Sequence, residues 1–267
     1  MSQSGHRRQS SDISVRQFTE EAGMSVARVC RLFCGFKGTS VTSRLCSSLS
    51  SDLLHSMHKK ELWDNFYVQK QRDTIQNFDW FFNYRALSGL LHQCLHSSLQ
   101  SDSSSDVFRI LDLGCGISDV GLGLFQDLPE PVQVTCADIS PVAISMMQQL
   151  VSTCSPMPKN SSSELRFVEM DCTRLDSFHS GLFNLILDKG TTDIFLRSAA
   201  GKPMAIQMLM EALRVLHPSG SFLQFSDEDP DARIPWLESS GVGRVKVNVQ
   251  ELTVQGASYY VYVINVK

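Results

Sequence analysis

Short apolar runs alternate with longer segments of helical periodicity through most of the chain, from residue 85 to residue 266. Continuous or alternating apolar runs bounded by turn residues predict strands, and apolar residues at three- and four-residue spacing predict helices. Seven runs fit strands: 108–113, 132–137, 165–170, 183–187, 221–225, 245–252 and 259–266. Four segments fit helices: 85–99, the stretch from the glycine turn to about residue 126, 141–153 and 203–216.

The order of these elements predicts the fold class. Strands that alternate with helices form a doubly wound parallel sheet. The last two strands are joined by a turn containing Gly256, which predicts an antiparallel hairpin. We therefore expect an α/β domain over residues 52–267, with a mostly parallel seven-stranded sheet and an antiparallel C-terminal hairpin. The sequence His217-Pro218-Ser219-Gly220 predicts a helix stop and a turn before the fifth strand.

The first 51 residues differ in composition from the rest of the chain. Residues 22–51 contain no Asp or Glu, are rich in serine and place basic side chains opposite an apolar helical face around Val26 and Phe33. This composition is typical of a mitochondrial presequence, and it would begin naturally at Met24. We expect residues 1–51 to be a disordered, cleaved leader and the mature protein to lie in the mitochondrial matrix; the alternative is a polar tail without a targeting role.

The charge of the remainder limits the class of partner. The chain has 24 Lys and Arg and 28 Asp and Glu, of which the leader holds seven and three. The 17 basic and 25 acidic residues that remain give a net charge of −8, which disfavours binding to nucleic acid. No apolar run approaches the ~18 residues that span a bilayer. We expect a monomer that binds neither nucleic acid nor membrane.

Cysteine and histidine positions give no metal signal. The five cysteines after the leader form no CxxC pair and are expected to be reduced and mostly buried. His92 and His96 lie opposite the apolar face of the predicted helix 85–99, so we expect them to be solvated. We therefore expect no metal site.

The sequence ILDLGCGISD, residues 110–119, ends a predicted buried strand in a glycine turn. In the dinucleotide fingerprint G-x-G-x-x-G, Gly114 and Gly116 fill the first two glycine positions, but Asp119 falls on the third. A carboxylate there would repel a pyrophosphate at the helix N-terminus. S-adenosylmethionine carries no phosphate, so this loop favours it over a nicotinamide dinucleotide.

Two acidic residues follow the next strands at positions suited to a nucleoside. Asp138, with Ile139 beside it, ends the second strand, where a carboxylate accepts ribose hydroxyls. Asp171 and Cys172 follow the third strand, where an acid can accept the adenine amino group. The alternative for Asp138 is a helix N-cap or turn residue, since Ser140 and Pro141 come next.

Five stretches carry a family resemblance: WDNFY (63–67), FDWFFNY (78–84), ILDLGCG (110–116), LILDKGTTD (185–193) and LQFSDEDPDARIPWLE (223–238). Through them the chain resembles the seven-β-strand S-adenosylmethionine-dependent methyltransferases over residues 61–267. Within that class it is most similar to the protein-lysine methyltransferases that act on mitochondrial citrate synthase. Ser118 departs from the class, because many members have a third glycine there.

The resemblance implies S-adenosylmethionine as cofactor, citrate synthase as protein substrate, and further site residues. Trp63, Tyr67 and Trp80 match positions that close over the cofactor, whose sulfonium aromatic faces stabilise. Lys189 matches another position that contacts the cofactor. The alternatives are a purely structural aromatic cluster and a turn-stabilising ion pair between Asp188 and Lys189.

The sequence after the fourth and fifth strands bears on the substrate. Residues 188–191 lack the prolines and the aromatic residue that clamp planar amide nitrogens, which favours the flexible amine of lysine. Asp227 and Glu228 follow the fifth strand in an acidic loop, so we expect them to bind the substrate amine; the alternative is a solvated loop with a turn at Asp229-Pro230. A small-molecule methyltransferase and a non-catalytic binding module are alternative functions.

Overall fold

A computed structural model describes residues 55–72, 79–99, 107–254 and 256–267. The leader predicted over residues 1–51 lies outside these ranges. The helices are α1 Lys60–Arg72, α2 Tyr84–Leu99, α3 Val120–Asp127, α4 Pro141–Cys154, α5 Thr191–Leu196, α6 Lys202–Val215 and α7 Pro230–Ser240. The strands are β1 Phe108–Leu113, β2 Val132–Asp138, β3 Glu164–Glu169, β4 Phe183–Lys189, β5 Leu216–Ser226, β6 Val245–Val254 and β7 Ala257–Val266.

The strands form one seven-stranded sheet in the order β3-β2-β1-β4-β5-β7-β6. The first five strands are parallel, and β7 lies antiparallel between β5 and β6. This confirms the predicted fold class, including the C-terminal hairpin, whose turn contains Gly256 at φ +80°. None of the helices in the described ranges is both long and apolar enough to span a membrane.

Both faces of the sheet are covered, because successive side chains of a strand point to opposite faces. In β1, Ile110 belongs to one hydrophobic cluster that also contains Leu91 of α2 and Met147 of α4. Leu111, the next residue, packs in a second cluster with Leu209 of α6. Burial on both faces explains why the central strands are continuous apolar runs.

The region between α6 and β5 differs from the prediction. Residues 217–220 were predicted as a turn, but β5 begins at Leu216 and contains them. Leu216 pairs with Phe183, and pairing resumes at Ser221 opposite Leu185, so the residues between form an irregularity in the strand. The turn residues therefore bulge from the sheet without ending it.

The histidines of α2 also differ from expectation. His92 is partly buried, and its Nε2 lies 3.4 Å from the hydroxyl of Tyr84, so it is not a fully solvated side chain. The side chain of His96 lies outside the described residues.

Candidate active site

The glycine loop connects the end of β1 to the start of α3, at the edge of the sheet where the carboxyl ends of the parallel strands lie. Gly114 and Gly116 have φ values of +66° and +53°, which favour glycine. A Cβ on Gly116 would lie 2.5 Å from the hydroxyl oxygen of Tyr67, and one on Gly114 would clash with the side chain of Thr191. The loop therefore passes closely beneath α1 and beside α5.

Asp138 fixes this loop from the end of β2. Its two carboxylate oxygens accept from the backbone N–H groups of Gly116 and Ser140, each at 2.8 Å. Burial raises the pKa of Asp138 to about 6. The N-cap of α4 is Ser140 and not Asp138, so the N-cap alternative is wrong, whereas the bond from the Ser140 N–H is that of a turn residue. Asp138 therefore orders the glycine loop and the turn before α4, and it also lines a cavity above them.

Two adjoining cavities lie over this edge of the sheet and share the side chains of Trp63, Tyr67 and Thr191 in their walls. Together they are lined by all ten residues predicted to bind the cofactor. The first is lined by Trp63, Tyr67, Trp80, Gly114, Gly116 and Lys189. The second is lined by Trp63, Tyr67, Gly114, Asp138, Ile139, Asp171 and Cys172.

The aromatic residues pack against one another and also line the cavities. A structural cluster and a contact with the cofactor are therefore compatible roles for them. The ring centroids of Trp63 lie 6.1 Å from those of Trp80 and 6.2 Å from those of Tyr67. The indole N–H of Trp63 donates to the carbonyl of Met57 at 2.7 Å. Burial raises the pKa of Tyr67 well above its ordinary value, so its hydroxyl stays protonated.

Lys189 does not form the ion pair with Asp188 that was the alternative to a cofactor contact. Its Nζ donates to Asp79 Oδ1 at 3.1 Å and to the carbonyl of Trp80 at 2.9 Å. Asp188 instead accepts from the backbone N–H groups of Thr191 and Thr192 at the start of α5. Lys189 therefore holds the segment that carries Trp80 against the cavity.

Asp119, whose charge disfavours a dinucleotide, is held by a hydrogen bond from the backbone. Its carboxylate accepts from the backbone N–H of Tyr84 at 2.7 Å and makes no side-chain cap bond to α3. Residues 79–84 are thus tied to the glycine loop and to β4 by polar contacts, with Trp80 held between.

Several lining residues were not predicted. Met57 and His58 precede α1 and line the second cavity, while Thr191 and Ile194 of α5 line both. His58 Nδ1 lies 3.1 Å from Ser198 Oγ. The motif DKGTTD was a signal for Thr191, but nothing in the local pattern marks Met57 or His58.

The predicted substrate residues lie apart from these cavities. Asp227 is 3.6 Å from Arg197, and Glu228 accepts from Arg233 Nε at 2.8 Å. Neither is among the residues lining the two cavities. Asp229 caps α7 by accepting from the backbone N–H of Asp231, so Asp229-Pro230 begins a helix.

Arg233 is the centre of a buried network at the ends of β4 and β5. Its side chain is fully buried and donates to Glu228, Asp193 Oδ1 at 2.7 Å and Gln224 Oε1 at 3.3 Å. Gln224 in turn donates to Thr192 Oγ1. The network joins two of the stretches that carry the family resemblance, and it fixes α5 beside the cavities.

The lining fits S-adenosylmethionine better than a dinucleotide. Among the residues lining the two cavities, Lys189 is the only lysine or arginine, and Asp79 already neutralises it. Asp138 and Asp171 line the second cavity, and their carboxylates can accept from hydroxyl and amino groups. The rings of Trp63 and Trp80 line the first cavity, and aromatic faces stabilise cations such as a sulfonium. In the described part of the chain, no three His, Cys, Asp or Glu side chains gather as metal ligands would.

Comparison with known proteins decides the family. A sequence family described as a methyltransferase domain matches residues 104–240. The mitochondrial citrate synthase-lysine N-methyltransferase of Danio rerio is 45% identical over 225 residues, which cover 82% of this chain and 88% of that protein. This chain belongs to the citrate synthase-lysine N-methyltransferase family. The human member is 42% identical over 209 residues, covering 76% of this chain and 84% of that protein.

Membership in the citrate synthase-lysine N-methyltransferase family establishes S-adenosylmethionine as the cofactor and methyl transfer as the reaction. It also favours protein-lysine methylation over a small-molecule substrate or a non-catalytic module. The crystal structure of the [4+2]-cyclase SpnF is 14% identical, with a TM-score of 0.50 over 79% of this chain and 97% of that one. That likeness supports the fold alone, because one fold serves several reactions.

Proposed function

We propose that this member of the family methylates a lysine side chain of citrate synthase in the mitochondrial matrix. The observation that carries the proposal is 45% identity to a mitochondrial citrate synthase-lysine N-methyltransferase over most of both chains. The acid-free, serine-rich sequence of residues 22–51 supports a mitochondrial address. We also propose that the ten predicted residues bind the cofactor, because they line two adjoining cavities.

The cofactor, when bound, supplies a methyl group activated by a positively charged sulfur. Asp138 and Asp171 would accept hydrogen bonds from its nucleoside, and the faces of Trp63 and Trp80 would stabilise its charge by ~0.5–2 kcal/mol each. The cavity walls must hold the amine in line with the methyl group, at an approach of ~3–3.5 Å.

The lysine must also lose a proton before it attacks. A lysine with a pKa of ~10.4 is less than ~1% neutral at pH 8. Desolvation and a neighbouring positive charge both lower that pKa. Water can then accept the proton, so the reaction does not require a strong base from the protein.

We propose that Asp227 and Glu228 attract the substrate ammonium to this edge of the sheet. Arg197 and Arg233 hold the two carboxylates after β5, on the edge where the cavities lie. Because neither carboxylate lines the cavities, the two would act on the ammonium through their charge as it approaches this edge, and not by contact with the bound amine.

The variant Asp227→Asn tests this role. We expect kcat/KM for the protein substrate to fall by about tenfold, with an unchanged Kd for S-adenosylmethionine, because the charge that attracts the ammonium is lost. Asp176→Asn removes the same charge from the exposed pair of Arg174 and Asp176, so it controls for the change in net charge. Unchanged turnover of Asp227→Asn would remove Asp227 from the substrate site.

The substrate itself can be identified without assuming it. The full chain is incubated with labelled S-adenosylmethionine and a mitochondrial extract, and the labelled protein is sequenced. We expect the label on citrate synthase; a label confined to another protein or to small molecules would overturn the proposal.

A further inference from the structure

Asp79 lies beside the first cavity and joins the segments that form its wall. Its Oδ1 accepts from Ser118 Oγ at 2.5 Å and from Lys189 Nζ at 3.1 Å. Ser118 belongs to the glycine loop and Lys189 ends β4, while Trp80 follows Asp79 directly. Ser118, Lys189 and Trp80 all line the cavity.

The pair formed by Asp79 and Lys189 is well shielded from solvent. The two side chains are only 15% and 9% exposed, so solvent and salt screen their charges weakly. Both charges act on Asp112, another residue of the cavity wall: Lys189 lowers the pKa of the Asp112 carboxyl, and Asp79 raises it. The field of the pair therefore reaches the cavity.

The reaction moves a positive charge from the sulfur of the cofactor to the nitrogen of the deprotonated amine, which becomes a methylammonium. The amine nitrogen forms a bond to the methyl carbon while the bond from that carbon to sulfur breaks, and the bonding pair stays on sulfur. The cofactor therefore loses its sulfonium charge and becomes the neutral thioether S-adenosylhomocysteine. The two molecules differ by one methyl group and one positive charge, so the charge balance of the cavity affects them differently.

We propose that Asp79 is a specificity-determining residue that neutralises Lys189, so that the site can favour the cationic cofactor over its neutral product. This inference rests on methyl transfer from S-adenosylmethionine and not on the identity of the substrate. Without Asp79, the Lys189 ammonium would repel the sulfonium and leave binding of the thioether much less affected.

Isothermal titration calorimetry of the full chain with both nucleotides tests the proposal at pH 8.5, where Asp112, whose pKa is about 7, is ionised. For Asp79→Asn, the ratio of Kd for S-adenosylmethionine to Kd for S-adenosylhomocysteine should rise by about fivefold or more. Asparagine keeps an oxygen acceptor for Ser118 and Lys189, so the change removes charge with little change of shape.

Two further variants separate charge from structure. Ser118→Ala removes the second hydrogen bond to Asp79 without changing any charge, so it should weaken both nucleotides equally. Lys189→Met leaves Asp79 uncompensated, so the ratio should fall instead of rise. This variant is compared with the unchanged protein at a higher pH as well, because loss of Lys189 raises the pKa of Asp112. This opposite sign keeps the proposal testable if Asp79→Asn does not fold.

An unchanged ratio in Asp79→Asn, or shifts of the same sign in Asp79→Asn and Lys189→Met, would overturn the proposal. These results would say nothing against lysine methylation, which is tested with the protein substrate. Conversely, failure to methylate citrate synthase would leave the binding ratios interpretable.

Discussion

Three aspartates of the site, Asp112, Asp138 and Asp188, are buried at the carboxyl half of neighbouring strands. Burial raises the pKa of Asp112 to about 7 and those of Asp138 and Asp188 to about 6. Asp138 and Asp188 are stabilised by backbone N–H donors, which partly offset desolvation. Asp112 faces the first cavity, where a cationic ligand would favour its charged form.

Asp112 predicts a pH dependence of stability. Its folded-state pKa lies above the ordinary value of 3.8, so the folded state binds this proton more tightly than the unfolded state. The stability from that proton is present at low pH and is lost as the pH rises from about 4 through about 7. Replacement by Asn should therefore favour the folded state by ~2–4 kcal/mol more at pH 8 than at pH 4.

The free energies of unfolding of Asp112→Asn and of the unchanged protein, measured in urea at both pH values, check this expectation. Packing losses in the variant cancel in the comparison, because they are the same at each pH. An equal difference at pH 4 and pH 8 would show that Asp112 titrates normally in the folded protein.

At the residue scale, many of the residues that line the cavities could be predicted, because their positions relative to strand ends are visible in the local sequence. Gly114, Gly116 and Asp138 follow strands whose ends could be placed from the apolar pattern alone. The partners of these residues could not be predicted in the same way. Asp79 contacts Lys189 across 110 positions of the chain, and His58 contacts Ser198 across 140.

Among the elements, α7 is a helix that the apolar pattern does not predict, because one of its buried residues is charged. It contains Pro235, and its buried residues are Arg233 and Leu237, so it lacks a continuous apolar face. Its packing depends on the contacts of Arg233 with Asp193 and Glu228 and on its position over the rings of Trp236 and Tyr262. Apolar periodicity could not have predicted this element.

Arg233→Met should destabilise the fold by ~3–5 kcal/mol, because it leaves the Asp193 and Glu228 carboxylates without their compensating charge. Lys60→Met is a suitable control, since it removes an exposed pair with Glu169 and should cost less than ~1 kcal/mol. Chemical denaturation measures both changes. A loss in Arg233→Met no larger than that in Lys60→Met would show that the network contributes little to stability.

For the molecule as a whole, the order of strands and helices was sufficient to predict the sheet and its antiparallel edge. The covering of the cavities by α1 and residues 79–84 was implied by the family resemblance and not by the apolar pattern, because it depends on long-range contacts such as that of Asp64 with Ser140. The same fold in the cyclase SpnF shows that architecture does not select a reaction. The identification of the substrate therefore depends on family membership and on experiment.

Intact-mass spectrometry of purified citrate synthase, after incubation with this enzyme and S-adenosylmethionine, tests the central claim most directly. The account predicts the mass increase of methylation at a lysine, and no increase with Asp138→Asn, which loses the carboxylate that holds the glycine loop and that we propose binds the nucleoside. Citrate synthase of unchanged mass after incubation with the unaltered enzyme, or equal methylation by Asp138→Asn, would contradict it.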